Sequence, residues 1–138
     1  MKKKWTLLST GIILITLMGF APGCDKSVNG DPGFLEGVIT IGPLCPVETD
    51  PPDPECLPTA DTYKAYPVDV WTANGKIKVA HLSPSLDGSY SIKLDPGDYI
   101  VRLEIEQVAV GSSNLPVVVS ITTGEKTNLD IDIDTGIR

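Results

Sequence analysis

Apolar and polar residues alternate along most of this chain with a period of two. Tyr90, Ile92 and Leu94 stand against Ser91 and Lys93. Tyr99, Val101, Leu103 and Ile105 stand against Ile100, Arg102 and Glu104. Leu129, Ile131 and Ile133 alternate with Asp130, Asp132 and Asp134, and Val117, Val119 and Ile121 share one parity. Successive side chains of a strand point to opposite faces, so these runs predict half-buried strands. Three more are predicted at Phe34–Gly42, Tyr63–Thr72 and Ile77–Leu82. Within Tyr63–Thr72 the alternation falls on Tyr66, Val68 and Val70, and Pro67 marks an edge or a bulge.

Turn chemistry separates these segments. Asn74-Gly75 suits the positive φ angles of a tight hairpin. Asp87-Gly88 and Thr123-Gly124-Glu125 mark two more turns. In Asp95-Pro96-Gly97-Asp98 proline sets φ and glycine supplies the left-handed position. About seven closely spaced strands, with no helical periodicity after residue 23, predict an all-β fold. One face of each strand must be buried, and a single antiparallel β-sandwich over 34–138 does that.

The N-terminus departs from this pattern, as does the long loop Pro43–Asp61. Lys2, Lys3 and Lys4 precede 16 uncharged residues, Thr6 to Ala21, rich in Leu, Ile and Met. This is a signal-peptide pattern, 1–23. It falls short of the roughly 20 apolar residues of a spanning helix, although an uncleaved anchor stays open as an alternative. The ending Gly23-Cys24 resembles a bacterial lipoprotein signal, in which a small residue precedes the cysteine that receives the lipid. Ala21 and Pro22 depart from that pattern, and Ala21-x-Gly23 also suits ordinary signal peptidase cutting at the same bond. The resemblance implies a lipidated Cys24 at the head of a flexible tether, 24–33, holding an extracytoplasmic protein to a bacterial membrane.

The chain carries 11 basic and 18 acidic residues over 138 positions, a net charge of −7. Loss of 1–23 removes three lysines and no acid, leaving −10. That balance excludes nucleic acid, whose phosphates demand Lys and Arg. It also excludes electrostatic docking on anionic lipid, so membrane attachment falls to the N-terminal anchor.

The three cysteines are Cys24, Cys45 and Cys56. With Cys24 lipidated, Cys45 and Cys56 remain as a pair, oxidised outside the cytoplasm. The segment between them is too rich in proline for helix or central strand, and a disulfide there staples a long loop. A zinc site is the alternative, but His81 is the sole histidine and a structural site wants four donors. A redox-active pair is another, and its usual spacing is Cys-x-x-Cys.

One segment carries a more specific likeness. DGSYSIKLDPGDYIVRLE, Asp87 to Glu104, resembles the central signature of carboxypeptidase-regulatory-like domains: Asp87-Gly88, Tyr90, Leu94-Asp95-Pro96-Gly97-Asp98-Tyr99 and Val101 match its positions. GVITIGPLCPV, Gly37 to Val47, resembles a set of bacterial lipoproteins carrying that domain. The resemblance implies a transthyretin-like (prealbumin-like) Greek-key sandwich that serves as an accessory, stabilising or binding module. A related sandwich, the Cna-B pilin and adhesin domain, joins a first-strand lysine to an asparagine, and residues 34–42 contain no lysine.

Candidate chemistry is sparse. Glu48, Asp50, Asp53 and Glu55, with Asp61 beside them, form an acidic loop that invites calcium, but the order matches no known ligand loop. Asp130, Asp132 and Asp134 share one strand face, which reads as a solvated outer surface rather than a cation site. His81 lies at the parity of Ile77 and Val79, a packed or half-exposed side chain without a second histidine. Trp71, opposite in parity to Val68 and Val70, either stacks on a sugar or partner or covers the sheet beside a hairpin lysine, Lys76 or Lys78. No Gly-x-Ser-x-Gly elbow or phosphate loop is present. The expectation is a non-enzymatic cell-envelope lipoprotein that binds or scaffolds, without metal or cofactor. Its partner is a protein or glycan, met through the acidic loop or Trp71. The alternative is an accessory subunit docking to an envelope enzyme or transporter.

Overall fold

The computed structural model describes residues 30–47, 49–105 and 109–138. The predicted signal peptide, Cys24 and Glu48 lie outside the described residues. Nine strands are present among the described residues: β1 Gly33–Gly42, β2 Val68–Thr72, β3 Lys78–His81, β4 Ser89–Leu94, β5 Gly97–Leu103, β6 Gly111–Ser112, β7 Val117–Ile121, β8 Lys126–Asn128 and β9 Ile131–Asp134. They form two packed sheets, so the fold is an all-β sandwich. One sheet runs β4-β1-β9-β6 with β8 also paired to β1; the other runs β3-β2-β5-β7.

The alternation sets which residues meet between the sheets. Leu35, Ile39 and Ile41 of β1 face Val68, Val70, Val101, Val119 and Ile121 of the second sheet, with Tyr90, Leu94, Ile131 and Ile133 beside them, all buried. No helix among the described residues is long and apolar enough to cross a membrane.

Two features correct the sequence reading. The first sheet is not wholly antiparallel: β1 pairs parallel with β8 at Phe34–Glu36 and with β9 at Ile39–Gly42. The last strand is thus broken in two, and the break has a visible cause. Leu129 N donates to Glu36 O at 2.8 Å, and Val38 N donates to the Asp130 carboxylate at 3.0 Å. The main chain of Leu129 presses so close that a Cβ on Gly37 would lie 2.1 Å from its carbonyl oxygen, and only glycine fits.

Second, Ala60–Ala65 is a helix, α1, where the sequence reading began a strand at Tyr63. Thr59 and Thr62 cap each other reciprocally, and Pro67 disfavours helix at Tyr66. Six residues are too few to show a 3.6-residue period, so the cap was the only signal. Tyr63 drops from α1 into the core.

Candidate functional site

The segment Pro43–Thr59 hangs from the C-terminal end of β1. Proline withholds backbone donors, so this stretch cannot join either sheet. It is held otherwise. Cys45 and Cys56 are disulfide-bonded, with Cα atoms 5.6 Å apart. Thr135 anchors its base: its backbone N–H donates to Gly42 O at 3.1 Å and its hydroxyl to Pro43 O. Asp53 caps a single 3₁₀ turn, Pro54–Cys56, by accepting from Glu55 N at 3.0 Å. The loop encloses a cavity of about 270 Å³ lined by Leu44, Cys45, Val47, Thr49, Pro52, Asp53 and Cys56.

The acidic residues named from the sequence do not converge there. Asp50, Asp53 and Glu55 are exposed, and of these only Asp53 lines the cavity. No three His, Cys, Asp or Glu side chains come together as a metal site among the described residues. What the loop offers is a largely apolar lining with one carboxylate, Asp53; Val47, also in the lining, is 72% exposed.

A second cluster was missed from the sequence. Asp69 points to the outer face of the second sheet yet is only 3% exposed. Its carboxylate meets Lys78 Nζ at 3.1 Å and His81 Nδ1 at 2.7 Å. The strand register explains this, since Asp69 lies opposite His81 on β3 and opposite Arg102 on β5. The one available signal was a charge inside the apolar run Val68-Asp69-Val70. Asp69 holds the His81 ring, and among the described residues that ring's only hydrogen bond is to Asp69. The group therefore ties β2 to β3 and has no nucleophile bonded to it.

Trp71 lies on the same face, beside the hairpin as its parity required. Its partner is not a hairpin lysine. The Arg102 guanidinium lies 3.8 Å from the ring centroid and also bonds Glu104. Arg102 thus covers one face of the Trp71 ring. Its Nε1 is buried with no hydrogen-bond partner among the described residues.

The acids of the last strand are each used separately. Asp130 accepts from Val38 N, and Asp132 lies 3.5 Å from the Ser113 hydroxyl. Asp134 bonds Arg138 at 2.8 Å, and that guanidinium, with the Gly136 N–H, holds its carboxyl down at about 2.

No protein-family model matches the chain, and no curated protein sequence does. Similarity appears among solved structures. The minor pilin GBS52 of Streptococcus agalactiae superposes with a TM-score of 0.50 at 16% identity, covering 76% of this chain and 45% of that one. A DUF3823 family protein from Parabacteroides merdae gives 0.48 at 14% identity, over 76% of this chain and 47% of that one. The TIE protein of Bacillus anthracis gives 0.48 at 18% identity, over 75% and 17%. The chain thus spans less than half of each of these proteins. At such identities the pilin likeness establishes the sandwich fold and nothing finer.

Proposed function

We propose that this chain is a lipid-anchored, non-enzymatic binding module of a bacterial cell envelope, held through Cys24 and meeting its partner with the Cys45–Cys56 loop. The observation that carries this reading is polarity along β1. At its N-terminal end the chain packs on the β7–β8 and β4–β5 turns: Gly124 N donates to Pro32 O at 3.3 Å, and Gly30 lies against Thr123 and Pro96. At the other end of this 10-residue strand hangs the disulfide loop. At about 3.3 Å per residue the two ends are roughly 30 Å apart. Cys24 precedes Gly30 by six residues, so a lipid there puts the turns toward the membrane and the loop away from it.

A carboxypeptidase-regulatory-like relationship is consistent with the local geometry of its signature residues. Tyr99 donates its hydroxyl to Asp95 O at 2.8 Å, closing the Asp95–Asp98 corner. Asp87 accepts from the Ser89 backbone and hydroxyl, and Gly88 takes φ +82° in the preceding turn.

Two measurements test the reading. Cys24→Ser should move the protein from the membrane fraction to the soluble one, because two or three acyl chains anchor stably and none remains. A serine variant that stays in the membrane points to an uncleaved hydrophobic anchor. A photo-crosslinker at Val47 should capture a discrete partner in cells, and one at Thr123 should not. Turnover of a hydrolase substrate that vanishes in Asp69→Asn or His81→Gln would replace this function with an enzymatic one.

A further inference from the structure

We infer that the cavity of the Cys45–Cys56 loop receives a lysine side chain of the partner protein, its aliphatic stem in the cavity and its ammonium on Asp53 Oδ2. The inference rests on the reading that this loop meets the partner, and it names the group that is met.

The lining is of two kinds. Leu44, Val47, Pro52 and the Cys45–Cys56 disulfide are apolar, and Asp53 is the charged residue among them. An apolar cavity of about 150 Å³ holds a benzene ring. At about 270 Å³ this one has room for an unbranched carbon chain. It is also preformed, because the prolines fix φ, the disulfide closes the loop and the Thr135 hydroxyl holds Pro43 O. A site ordered in advance costs less to fill.

Asp53 sets the chemistry. Its Oδ1 accepts from Glu55 N at 3.0 Å, and its Oδ2 has no hydrogen-bond partner among the described residues. Residues 49–61 carry Asp50, Asp53, Glu55 and Asp61 and no basic residue. Cations near this end of the molecule are already engaged. Lys64 bonds Asp61 at 3.1 Å, and Arg138 bonds Asp134, the register partner of Gly42, at 2.8 Å. This chain's Lys93 and Lys126 are register partners of Phe34, at the other end of β1. Asp50, Asp53 and Glu55 are therefore left without a cationic partner among the described residues.

An apolar wall beside uncompensated negative charge is complementary to a cation on an aliphatic stem. A wholly apolar side chain would cover Asp53 Oδ2 without bonding it, and an unmet buried acceptor is costly. An acidic one would meet like charge. Between the two long cations, arginine is matched to both oxygens of a carboxylate at once. Glu55 N already holds one oxygen here. An ammonium is a point charge that needs only the other, so lysine fits better than arginine.

NMR titration of the methyl-labelled full chain, in mild detergent, tests this. The probes are the peptide Ac-Gly-Lys-Gly-amide and versions with norleucine, acetyl-lysine or arginine in place of lysine. The lysine peptide should shift the Leu44 and Val47 methyl signals and bind at least fivefold more tightly than the other three. Asp53→Asn keeps an oxygen for Glu55 N and removes the charge. It should weaken lysine binding at least fivefold and leave norleucine binding unchanged. Should Asp53→Asn displace the loop, seen as moved Cys45 and Cys56 signals, added salt on the unsubstituted chain serves instead, weakening the lysine peptide and not the norleucine one. No shift at Val47, norleucine binding as tightly as lysine, or lysine binding untouched by both Asp53→Asn and salt would overturn the inference. Arginine binding as tightly would overturn the choice of lysine. These titrations report the cavity alone, whereas the Val47 crosslink reports the partner. A silent cavity with a persisting crosslink thus removes the lysine and keeps the loop as the partner surface.

Discussion

Asp69 is a buried carboxylate whose two cationic partners are not buried, and that asymmetry has a measurable consequence. The Asp69 side chain is 5% exposed, against 53% for Lys78 and 45% for His81. Asp69→Asn keeps the shape and removes the charge. Lys78 and His81 then turn to water, so the loss is that of the charge-assisted bonds alone, about 1–2 kcal/mol. Removing the partners instead, in Lys78→Met/His81→Leu, leaves a carboxylate that cannot reach water. Stranding one member of a buried pair costs about 3–5 kcal/mol. In the Asp69→Asn background the same double replacement has no charge to strand and should cost under about 1 kcal/mol. Urea unfolding at pH 7, followed by far-ultraviolet circular dichroism, gives each value from midpoint and slope. The reasoning fails if Asp69→Asn is as damaging as the double replacement, or if the two sets of changes simply add.

Replacing Cys45 and Cys56 together by serine should lower stability by roughly 2–4 kcal/mol, because the closed loop no longer restricts the unfolded chain. The strand signal in circular dichroism should persist, since all of β1 to β9 lies outside the loop; its loss would mean the staple is needed to fold. Asp134 should titrate near 2 by NMR, below the ordinary 3.8, and Arg138→Ala should raise it, because the Arg138 hydrogen bond is the largest cause of the depression. Its folded value is the lower one, so its contribution to stability is complete above about 3.8 and fades as pH falls through about 2. An unchanged titration in Arg138→Ala would assign the depression to the Gly136 N–H instead.

The sequence by itself determined the class of fold and much of its core. Period-two alternation is local, since each side chain's face follows from its neighbours, and this was enough to place Val68, Val70, Tyr90, Val101, Val119, Ile131 and Ile133 between sheets. It also pointed to the Cys45–Cys56 disulfide that the structure shows, because a lipidated Cys24 leaves those two cysteines as a pair. What it left open depends on which strand lies beside which. The parallel pairing of β1 with β8 and β9 is made over some ninety residues of chain, and no local pattern encodes it. The same holds for Asp69. Its buried pairing arises from the register that sets it between His81 and Arg102, not from its neighbours Val68 and Val70. Trp71 shows the limit most plainly: parity put it on the outer face, but its stacking partner, Arg102, comes from another strand. Only the assembled sheet decided that this guanidinium lies over its ring.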